Sequence, residues 1–311
     1  MTSKHSSLIP HWQFPGGLTR RQLLASLGSV ASAAALSPYT GLAQGNNVLP
    51  LSTPGLDHLD VIVEDVAATS RFYMGLLNTT LYAQEFRGGL RYFVLLGELG
   101  PGREVGYLAV GASGGRGTYI GHFCTTVDNY RRDADAIWAA METQISAAGL
   151  GEFPGPTGFG GIFSDPDGIE IQLLPAPDTL VTVATPNDLV AHNTGLVTPL
   201  GVNHVSINVS DMDQALRWYR ILYGRESGRS GSQAWFDFAR SDTCLILHEV
   251  DYGYDNSPGI RTFGIKTEAF DRGQASATLE SLGATLVDGS EMPGGLQFID
   301  PDGITVELNP V

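Results

Sequence analysis

The chain has 311 residues, of which 39 are Gly and 17 are Pro, and 42% of all residues are hydrophobic while 16% are charged. This length and composition indicate a compact globular protein of roughly two domains and argue against disorder or a collagen-like repeat. The net charge of -15 argues against nucleic acid as a partner, because affinity for phosphates depends on Lys and Arg. The two cysteines, Cys124 and Cys244, stand in no disulfide or zinc-finger pattern and are expected to be small buried side chains.

The first 43 residues are expected to be a targeting segment that does not belong to the fold. Arg20 and Arg21 precede an apolar, Ala-rich run from Leu23 to Leu36, and small residues follow it. This segment resembles a twin-arginine signal peptide, which implies export of the folded protein to the periplasm or the exterior. The run is shorter than the span of about 20 apolar residues that crosses a membrane, so we expect no stable membrane insertion after its removal. An ordinary N-terminal membrane anchor is the alternative.

The rest of the chain repeats one pattern twice. The segment GLDHLDVIV that begins at Gly55 is echoed 146 positions later by GVNHVSINV, which begins at Gly201. The segment FSDPDGIEIQL that begins at Phe163 is echoed 135 positions later by FIDPDGITVEL, which begins at Phe298. Self-similarity over such distances indicates a duplicated unit. We predict a first module, a connector and a second module at residues 55–175, 176–199 and 200–311.

Within each module, the apolar pattern predicts a strand, a helix and further strands, and this order occurs twice. Asp65 in the first module and Ser210 in the second are placed to cap the first helix. The DPDG segments fit tight turns, because Pro is preset for the second position and Gly can adopt a positive φ. The chain is therefore predicted to be α+β, with four βαβββ units paired into two modules.

Two pairs of motifs resemble those of the vicinal oxygen chelate superfamily. They are the openings around His58 and His204, whose following helices end in Phe-Tyr and Trp-Tyr, and the two DPDG closings. This superfamily includes glyoxalase I, extradiol dioxygenases, fosfomycin-resistance enzymes and bleomycin-binding proteins, and the resemblance covers about residues 55–311. It implies that the strands of paired βαβββ units curl into a cup, and that many members hold a divalent metal there. One fold supports many reactions, so the function depends on the residues in the cup.

In the first module, the resemblance places the metal ligands at His58, His122 and Gln172. Two imidazoles suit a divalent Fe, Mn, Zn, Ni or Co ion. The family usually has Glu where this chain has Gln172, which is a weaker, neutral donor. Glu170 lies two residues earlier on the same strand face, and Asp60 lies two residues after His58, so either carboxylate could substitute for it.

Two further residues of the first module are expected to take part in chemistry. Glu170, if it is not a ligand, is placed to act as a general base. Tyr107 falls near the ligand position of the fourth strand and is expected to give a proton or a hydrogen bond to the substrate. If His58 and His122 hold no metal, they are hydrogen-bonded pocket histidines.

In the second module, the same alignment selects His204, Thr262 and Glu307, with Ile246 at the fourth-strand position. Thr262 replaces an imidazole, but His248 lies two residues beyond Ile246 and faces the same side. His204, His248 and Glu307 then form an alternative set of two His and one carboxylate, which non-haem Fe(II) favours. Otherwise the second module only supports the fold.

These observations predict an exported, metal-dependent enzyme that acts on a small oxygenated organic substrate chelated to a divalent ion. A lyase or isomerase requires the fewest functional groups in the cup, because proton abstraction beside a metal-bound oxygen is sufficient. A ring-cleaving dioxygenase is disfavoured, because the additional His and Tyr of the extradiol enzymes would fall at Tyr107 and Ile162. The alternative from another class is a metal-free sequestration protein that stacks its ligand on aromatic residues: Trp235, Phe236, Tyr252 and Tyr254. The sequence is compatible with a homodimer.

Overall fold

The structure is a computed structural model that describes residues 48–86, 89–97, 106–157, 161–176, 195–251 and 257–311. The predicted targeting segment and most of the predicted connector lie outside the described residues. The compact unit that contains the described residues is Asn47–Val311. Among the described helices, none has the length and apolar character that a membrane crossing requires.

The first sheet comes from the residues of the first predicted module. Its elements, in chain order, are β1 (Gly55–Val63), α1 (Val66–Leu76), β2 (Leu81–Phe86), β3 (Gly89–Leu96), β4 (Gly106–Ala112), β5 (Tyr119–Val127), α2 (Tyr130–Ala147), β6 (Ile162–Ser164) and β7 (Glu170–Pro175). The strands lie in the order β2-β3-β4-β1-β5-β7-β6. Strand β1 pairs in parallel with β4 and antiparallel with β5, so β1 and β5 join the two units of the module.

The second sheet comes from the residues of the second predicted module and from Pro199, which the prediction assigned to the connector. Its elements are β8 (Pro199–Val209), α3 (Met212–Tyr223), β9 (Gly228–Ser230), β10 (Gln233–Phe238), β11 (Thr243–Glu249), β12 (Gly259–Thr267), α4 (Arg272–Ser281), β13 (Thr285–Leu286), β14 (Leu296–Ile299) and β15 (Thr305–Pro310). The strands lie in the order β13-β14-β15-β12-β8-β11-β10-β9. Strand β8 takes the place of β1, and β12 takes the place of β5.

The two sheets and four helices of the described residues confirm the predicted α+β class with two related modules. Three of the units show a strand, a helix and three strands, as predicted. In the second unit, the described residues give two strands after α2 and an isolated bridge between Thr157 and Ile162. The order of the elements therefore repeats from unit to unit.

Aspartates cap three of the helices. Asp65 accepts a hydrogen bond from the Ala68 N–H at the start of α1, as predicted. The prediction that Ser210 caps α3 is wrong, because Asp211 accepts from the Gln214 N–H instead. Asp is at least as good an N-cap as Ser, and the Ser210 side chain is occupied elsewhere.

The DPDG turns close as predicted and connect the two modules. Gly168 and Gly303 adopt φ of 82° and 88°, which is the left-handed region where Gly is favoured. Asp165, in the first of these turns, accepts a hydrogen bond from the Tyr219 hydroxyl on α3 at 2.9 Å. Asp300, in the second turn, accepts one from the Tyr73 hydroxyl on α1 at 2.8 Å. Each module therefore fixes the turn that leads into the last strand of the other.

A second pair of contacts repeats this exchange at the helix starts. Asp167 accepts hydrogen bonds from the backbone N–H and the hydroxyl of Ser210. Asp302 accepts one from the Thr69 hydroxyl at 2.6 Å. Because Ser210 is bonded to Asp167, it is not available to cap α3.

Candidate metal centres in the two cups

The strand register brings the predicted residues of the first module onto one sheet face. His58 on β1 lies opposite Tyr107 on β4, and Asp60 lies opposite His122 on β5. His122 in turn lies opposite Glu170, and Gln172 is two residues further along β7 on the same face. We call these residues, together with Arg91, the first cup: His58, Asp60, Arg91, Tyr107, His122, Glu170 and Gln172.

His58 is buried and is held by its chain neighbour. Its Nδ1 lies 2.7 Å from Oδ2 of Asp57, and its ring stacks on Tyr107 with centroids 4.2 Å apart. A carboxylate only accepts, so Nδ1 carries the hydrogen and the lone pair is on Nε2. A hydrogen-bonded imidazole of this kind is the arrangement in which metal-binding histidines are found.

His122 approaches His58 edge to face, with ring centroids 5.5 Å apart. Burial lowers the pKa of His122 to about 3, and the neighbouring His58 and Arg91 add to the shift, while a hydrogen bond with Gln172 opposes it. His122 is therefore neutral at physiological pH, and its Nε2 has no hydrogen-bond partner in the part of the chain that the structure describes. Gln172, predicted as a ligand, bonds to His122.

The first cup contains an ion pair that the sequence prediction missed. Nη2 of Arg91 lies 3.2 Å from Oδ2 of Asp60 as a hydrogen bond and 3.1 Å from Oδ1 as an ionic contact. Burial raises the pKa of Asp60 while Arg91 opposes the shift. Gly111 leaves room for the guanidinium, because a Cβ there would lie 2.9 Å from Nη2. The signal in the sequence was a single Arg within the apolar run of β3.

Glu170 lies at the rim of the first cup. Its side chain is exposed, and partial burial followed by the charge of Asp60 raises its pKa. It borders an open cavity of about 270 Å³ between the sheets, which also touches Ile120, Gly168 and Ile260. Glu170 is therefore accessible to a ligand, while Asp60 is not.

The second cup is built around a buried His and Glu. We define it as the equivalent face of the second sheet: His204, Ser206, Asn208, His248, Thr262 and Glu307. Nδ1 of His204 lies 2.9 Å from Oδ1 of Asn203, which also accepts a hydrogen bond from Asn309. Nε2 of His204 faces Oε2 of Glu307 at 3.8 Å, and both side chains are 0% exposed.

Burial changes the pKa of both groups in the direction that removes charge. It lowers the pKa of His204 to about 4, against a smaller opposing effect of Glu291. It raises the pKa of Glu307, against the hydrogen bond that Oε1 accepts from the Glu291 backbone. Oε1 of Glu307 also accepts from Gln297 at 3.1 Å, while Oε2 has no hydrogen-bond partner among the described residues.

His248 reaches the same cup from β11, but its hydrogen bonds differ from those of a ligand. Its Nδ1 lies 3.3 Å from Nη1 of Arg261 and 3.1 Å from Nε2 of Gln233. Arg can only donate, so Nδ1 accepts and Nε2 carries the hydrogen. That Nε2 lies 3.4 Å from Oε1 of Glu291, which also contacts Arg261 at 3.1 Å. The Nε2–H of His248 therefore faces the Glu291 carboxylate.

Glu291 and Arg261 were not predicted from the sequence. Burial alone would raise the pKa of Glu291, but the hydrogen bond and charge of His248 and the charge of Arg261 outweigh it and lower the pKa. Glu291 lies between β13 and β14, outside any regular strand pattern. Its position in the cup could not have been read from residue spacing.

Unpartnered polar atoms distinguish the second cup from the first. Within the described residues, five buried atoms of the second cup, besides the Nε2–H of His248 that faces Glu291, have no hydrogen-bond partner: His204 Nε2, Ser206 Oγ, Asn208 Oδ1, Thr262 Oγ1 and Glu307 Oε2. In the first cup there are two, Asp60 Oδ1 and His122 Nε2. Buried polar groups are normally satisfied by protein, water or an ion. The donor set of the second cup therefore fits a bound cation.

A different group of donors lies beside the first cup. Asp57, His58 and Cys124 are the one group of three His, Cys, Asp or Glu residues in the described ranges whose ligand atoms all lie within 4.8 Å of each other. Cys124 was predicted to be a buried small side chain, and it is 0% exposed. Its proximity to His58 was not predicted.

The aromatic residues proposed as stacking surfaces have different positions. Phe236 is 2% exposed and packs against Tyr219 and Tyr223, so it belongs to the core. Trp235 is half-buried beside Gly228. Tyr252 and Tyr254 lie outside the described residues.

The chain belongs to the glyoxalase/bleomycin resistance protein/dioxygenase superfamily, which matches residues 55–173 and 201–308. These two segments cover most of the chain and coincide with the two sheets. The family assignment inferred from the repeated motifs is thereby confirmed.

Solved structures share this fold at low sequence identity. The 2,3-dioxygenase LapB from Pseudomonas sp. KL28 is 16% identical, with a TM-score of 0.58 over 83% of this chain and 92% of that one. The Mn(II)-bound glyoxalase from Novosphingobium aromaticivorans is 16% identical, with a TM-score of 0.57 over 82% and 81%. Homoprotocatechuate 2,3-dioxygenase from Brevibacterium fuscum, in complex with 3,4-dihydroxyphenylacetate, is 14% identical, with a TM-score of 0.60 over 83% and 81%. These likenesses show the fold, and one of the three structures contains Mn(II).

Proposed function

We propose that this protein is a metal-dependent enzyme whose divalent ion is held in the second cup by His204 and Glu307. Its substrate is a small organic molecule with two neighbouring oxygen atoms. The observation that carries this proposal is the pair of unpartnered atoms, His204 Nε2 and Glu307 Oε2, which face each other in a fully buried position.

Electrostatics favour a cation between these two atoms. Asn203 holds the hydrogen of His204 on Nδ1, so a lone pair on Nε2 faces Oε2 of Glu307, and no hydrogen lies between them when Glu307 is ionised. An uncompensated buried charge costs several kcal/mol, which a bound cation offsets. Two ligands that each lie about 2.0 to 2.2 Å from one ion are at most about 4.4 Å apart, and the observed 3.8 Å is within that limit.

The remaining polar side chains of the second cup suit a substrate or water. One imidazole and one carboxylate leave open positions on Fe, Mn, Zn, Ni or Co. Such an ion acts as a Lewis acid towards the oxygens of a chelated substrate. His248 holds a proton on Nε2, and Arg261 keeps Glu291 ionised beside it. Proton transfer in the cup is therefore assigned to His248 and Glu291.

Two reaction classes remain open within this proposal. A lyase or isomerase needs only proton transfer beside the chelated oxygen, which His248 and Glu291 can supply. A ring-cleaving dioxygenase also needs O2, and several solved structures with this fold bear that name. Tyr107 and Ile162, which disfavour a dioxygenase in the first module, do not belong to the second cup.

The first cup is the second candidate for the metal. His58 and His122 each direct an imidazole to it, and Glu170 and Tyr107 would be the catalytic residues there. Arg91 already supplies the positive charge that faces Asp60, which disfavours a cation between Asp60 and His122. For that reason the second cup is the stronger candidate.

Metal-free sequestration is the candidate from another class. It is favoured by one observation: within the described residues, no group of three His, Cys, Asp or Glu of the second cup brings its ligand atoms within 4.8 Å of each other. A cup that binds its ligand through polar side chains alone would have this arrangement.

Reconstitution tests the proposed function. The purified protein is stripped with a chelator, reloaded separately with Fe2+, Mn2+, Zn2+ or Co2+, and assayed with catechols and hydroxyketones while O2 uptake is recorded. We expect turnover to return with one of the ions, and uptake of O2 distinguishes a dioxygenase from a lyase or isomerase. His248→Gln should lower turnover by roughly 10² to 10⁴ with unchanged metal content. Tight ligand binding by the stripped protein, without turnover after reloading, would establish sequestration instead.

We also propose export by the twin-arginine route, supported by Arg20 and Arg21 before the apolar run. Changing both residues to Lys should leave the precursor in the cytoplasm, measured by fractionation of the producing cells. Efficient export of this variant would instead indicate an ordinary secretory signal.

A further inference from the structure

We propose that Asp57, His58 and Cys124 form a second metal site, of the zinc class, at the base of the first cup. The carboxylate, the imidazole and the thiol bring one donor atom each to within 4.8 Å of one another. Cys124 is 0% exposed, His58 is 4% exposed, and the Asp57 side chain is 15% exposed. This site is separate from the ion proposed for the second cup.

An irregularity in β1 explains why two adjacent residues both reach the site. Adjacent side chains normally point to opposite faces of a strand. The pairing of β1 with β5 shifts register between Leu56 and Leu59, and such bulges redirect side chains. Asp57 and His58 lie within the shifted segment. Cys124 comes from the facing strand β5, where it lies opposite Gln172 of β7.

The second module shows that these donors are not required by the fold. His204 is equivalent to His58, and the residue before it is Asn203, which is neutral, where the first module has Asp57. Gly264 lies opposite Glu307 as Cys124 lies opposite Gln172, so glycine replaces the thiol. The two donors that would complete a metal site therefore distinguish the first module from the second.

The donor set selects the kind of ion. Zn2+ binds thiolate, imidazole and carboxylate ligands, usually four of them in a tetrahedron. Asp57 lies on the Nδ1 side of His58, so His58 would bind through Nδ1 with its hydrogen moved to Nε2. Cys124 would release its thiol proton to solvent, so one proton leaves per ion. The fourth position would be open to water or to Gln172. An ion bound here would fasten β1 to β5, the two strands that join the units of the first module.

Cobalt titration tests this site, because a thiolate bound to Co2+ gives a sulfur-to-metal charge-transfer absorption in the near ultraviolet. The full chain is used in the Glu307→Gln background, which removes the ion proposed for the second cup. We expect one equivalent of Co2+ to produce the absorption and Zn2+ to displace it. Cys124→Ser should abolish the absorption. Cys244→Ser is the matched control, since Cys244 is also buried and its thiol also bonds the next backbone carbonyl, and it should retain the signal.

Asp57→Asn provides a second test that does not depend on how Cys124→Ser folds. It introduces the residue that the second module carries at the equivalent place, so the fold should tolerate it. We expect zinc affinity to fall by at least roughly 10-fold to 100-fold. The proposal is overturned if Co2+ gives no thiolate absorption, if the absorption survives Cys124→Ser, or if Asp57→Asn leaves zinc affinity unchanged. None of these outcomes bears on the function proposed for the second cup.

Discussion

The two cups begin with the same residue and give it different partners. His58 donates to a carboxylate on Asp57 and stacks on Tyr107, while His204 donates to the amide of Asn203 and faces Glu307. In the first cup the partly exposed guanidinium of Arg91 pairs with Asp60. In the second cup, five buried polar atoms besides His248 Nε2 have no hydrogen-bond partner among the described residues. The two modules share one fold, but the first cup neutralises the charge of Asp60 with Arg91, while the second cup keeps a donor set that fits a cation.

The position equivalent to Cys124 offers the largest expected contrast. A Cβ on Gly264 would lie 2.4 Å from Nδ1 of His204 and 2.6 Å from Nδ2 of Asn309. Gly264→Ala should therefore displace His204 and cost about 1 to 3 kcal/mol of unfolding free energy through overpacking. Metal binding by the second cup should weaken with it. Cys124→Ala removes volume and should leave the second cup intact, and equal metal loss in both variants would contradict the contrast.

The hydrogen bonds exchanged between the modules should be equivalent in strength. Tyr73→Phe leaves the buried Asp300 carboxylate without its hydroxyl donor, and Tyr219→Phe does the same to Asp165. Each change should lower the free energy of unfolding by about 1 to 3 kcal/mol, measured by chemical denaturation. Thr143→Val, at an exposed position of α2, is a control that should change the free energy of unfolding by less than about 0.5 kcal/mol. A large loss in only one of the two Tyr variants would show that the exchange is not symmetric.

Asp165 should make stability depend on pH. Burial raises the pKa of Asp165 from 3.8 to about 6, against its hydrogen bonds from the turn and Tyr219. Between these two values the folded state binds more protons than the unfolded state, so the free energy of unfolding falls as pH rises from about 4 to about 6. The shift corresponds to a contribution on the order of 3 kcal/mol.

Asp165→Asn isolates this contribution from those of the buried histidines. His122 and His204 have lowered pKa values, so they act in the opposite direction over the same range. The difference in unfolding free energy between wild type and Asp165→Asn should therefore change between pH 4 and 6 and be constant above about pH 7. A difference that is flat across the whole range would rule out the raised pKa.

The smallest effect is expected at the rim of the first cup. Glu170 is exposed and has no hydrogen-bond or ion-pair partner among the described residues. Glu170→Gln should change the free energy of unfolding by less than about 0.5 kcal/mol. If Glu170 is a base in an active first cup, turnover should fall by roughly 10² to 10⁴, and the second cup would then not be the active one.

The fold could be predicted because its signals are local or repeated. The constant offset between the two His-containing openings indicated that the module is duplicated. The DPDG turns could be predicted because they need only Pro and Gly at fixed positions. The cap of α3 was misplaced by one residue, because Asp211 and Ser210 are both good caps and only the contact with Asp167 decides between them.

The partners in the cups could be predicted only in part. Strand alternation placed His58 with Asp60 and Glu170 with Gln172 on common faces. The family resemblance, and not the alternation, grouped His58 with His122 and His204 with Glu307. It could not show that Arg91 pairs with Asp60, or that Glu291 and Arg261 reach His248, because these contacts join strands and loops whose relative positions depend on register. The bulge in β1 that brings Asp57 to Cys124 likewise leaves no mark in the residue spacing.

Metal content of two matched variants tests the central claim most directly. Glu307→Gln and Glu170→Gln make the same isosteric change in the second and first cups, and both are prepared in the Cys124→Ser background so that the thiolate site does not contribute. Elemental analysis of protein folded in the producing cell should find about one transition metal per chain in Glu170→Gln and almost none in Glu307→Gln. Full metal retention by Glu307→Gln, with loss in Glu170→Gln, would contradict the account and place the metal in the first cup.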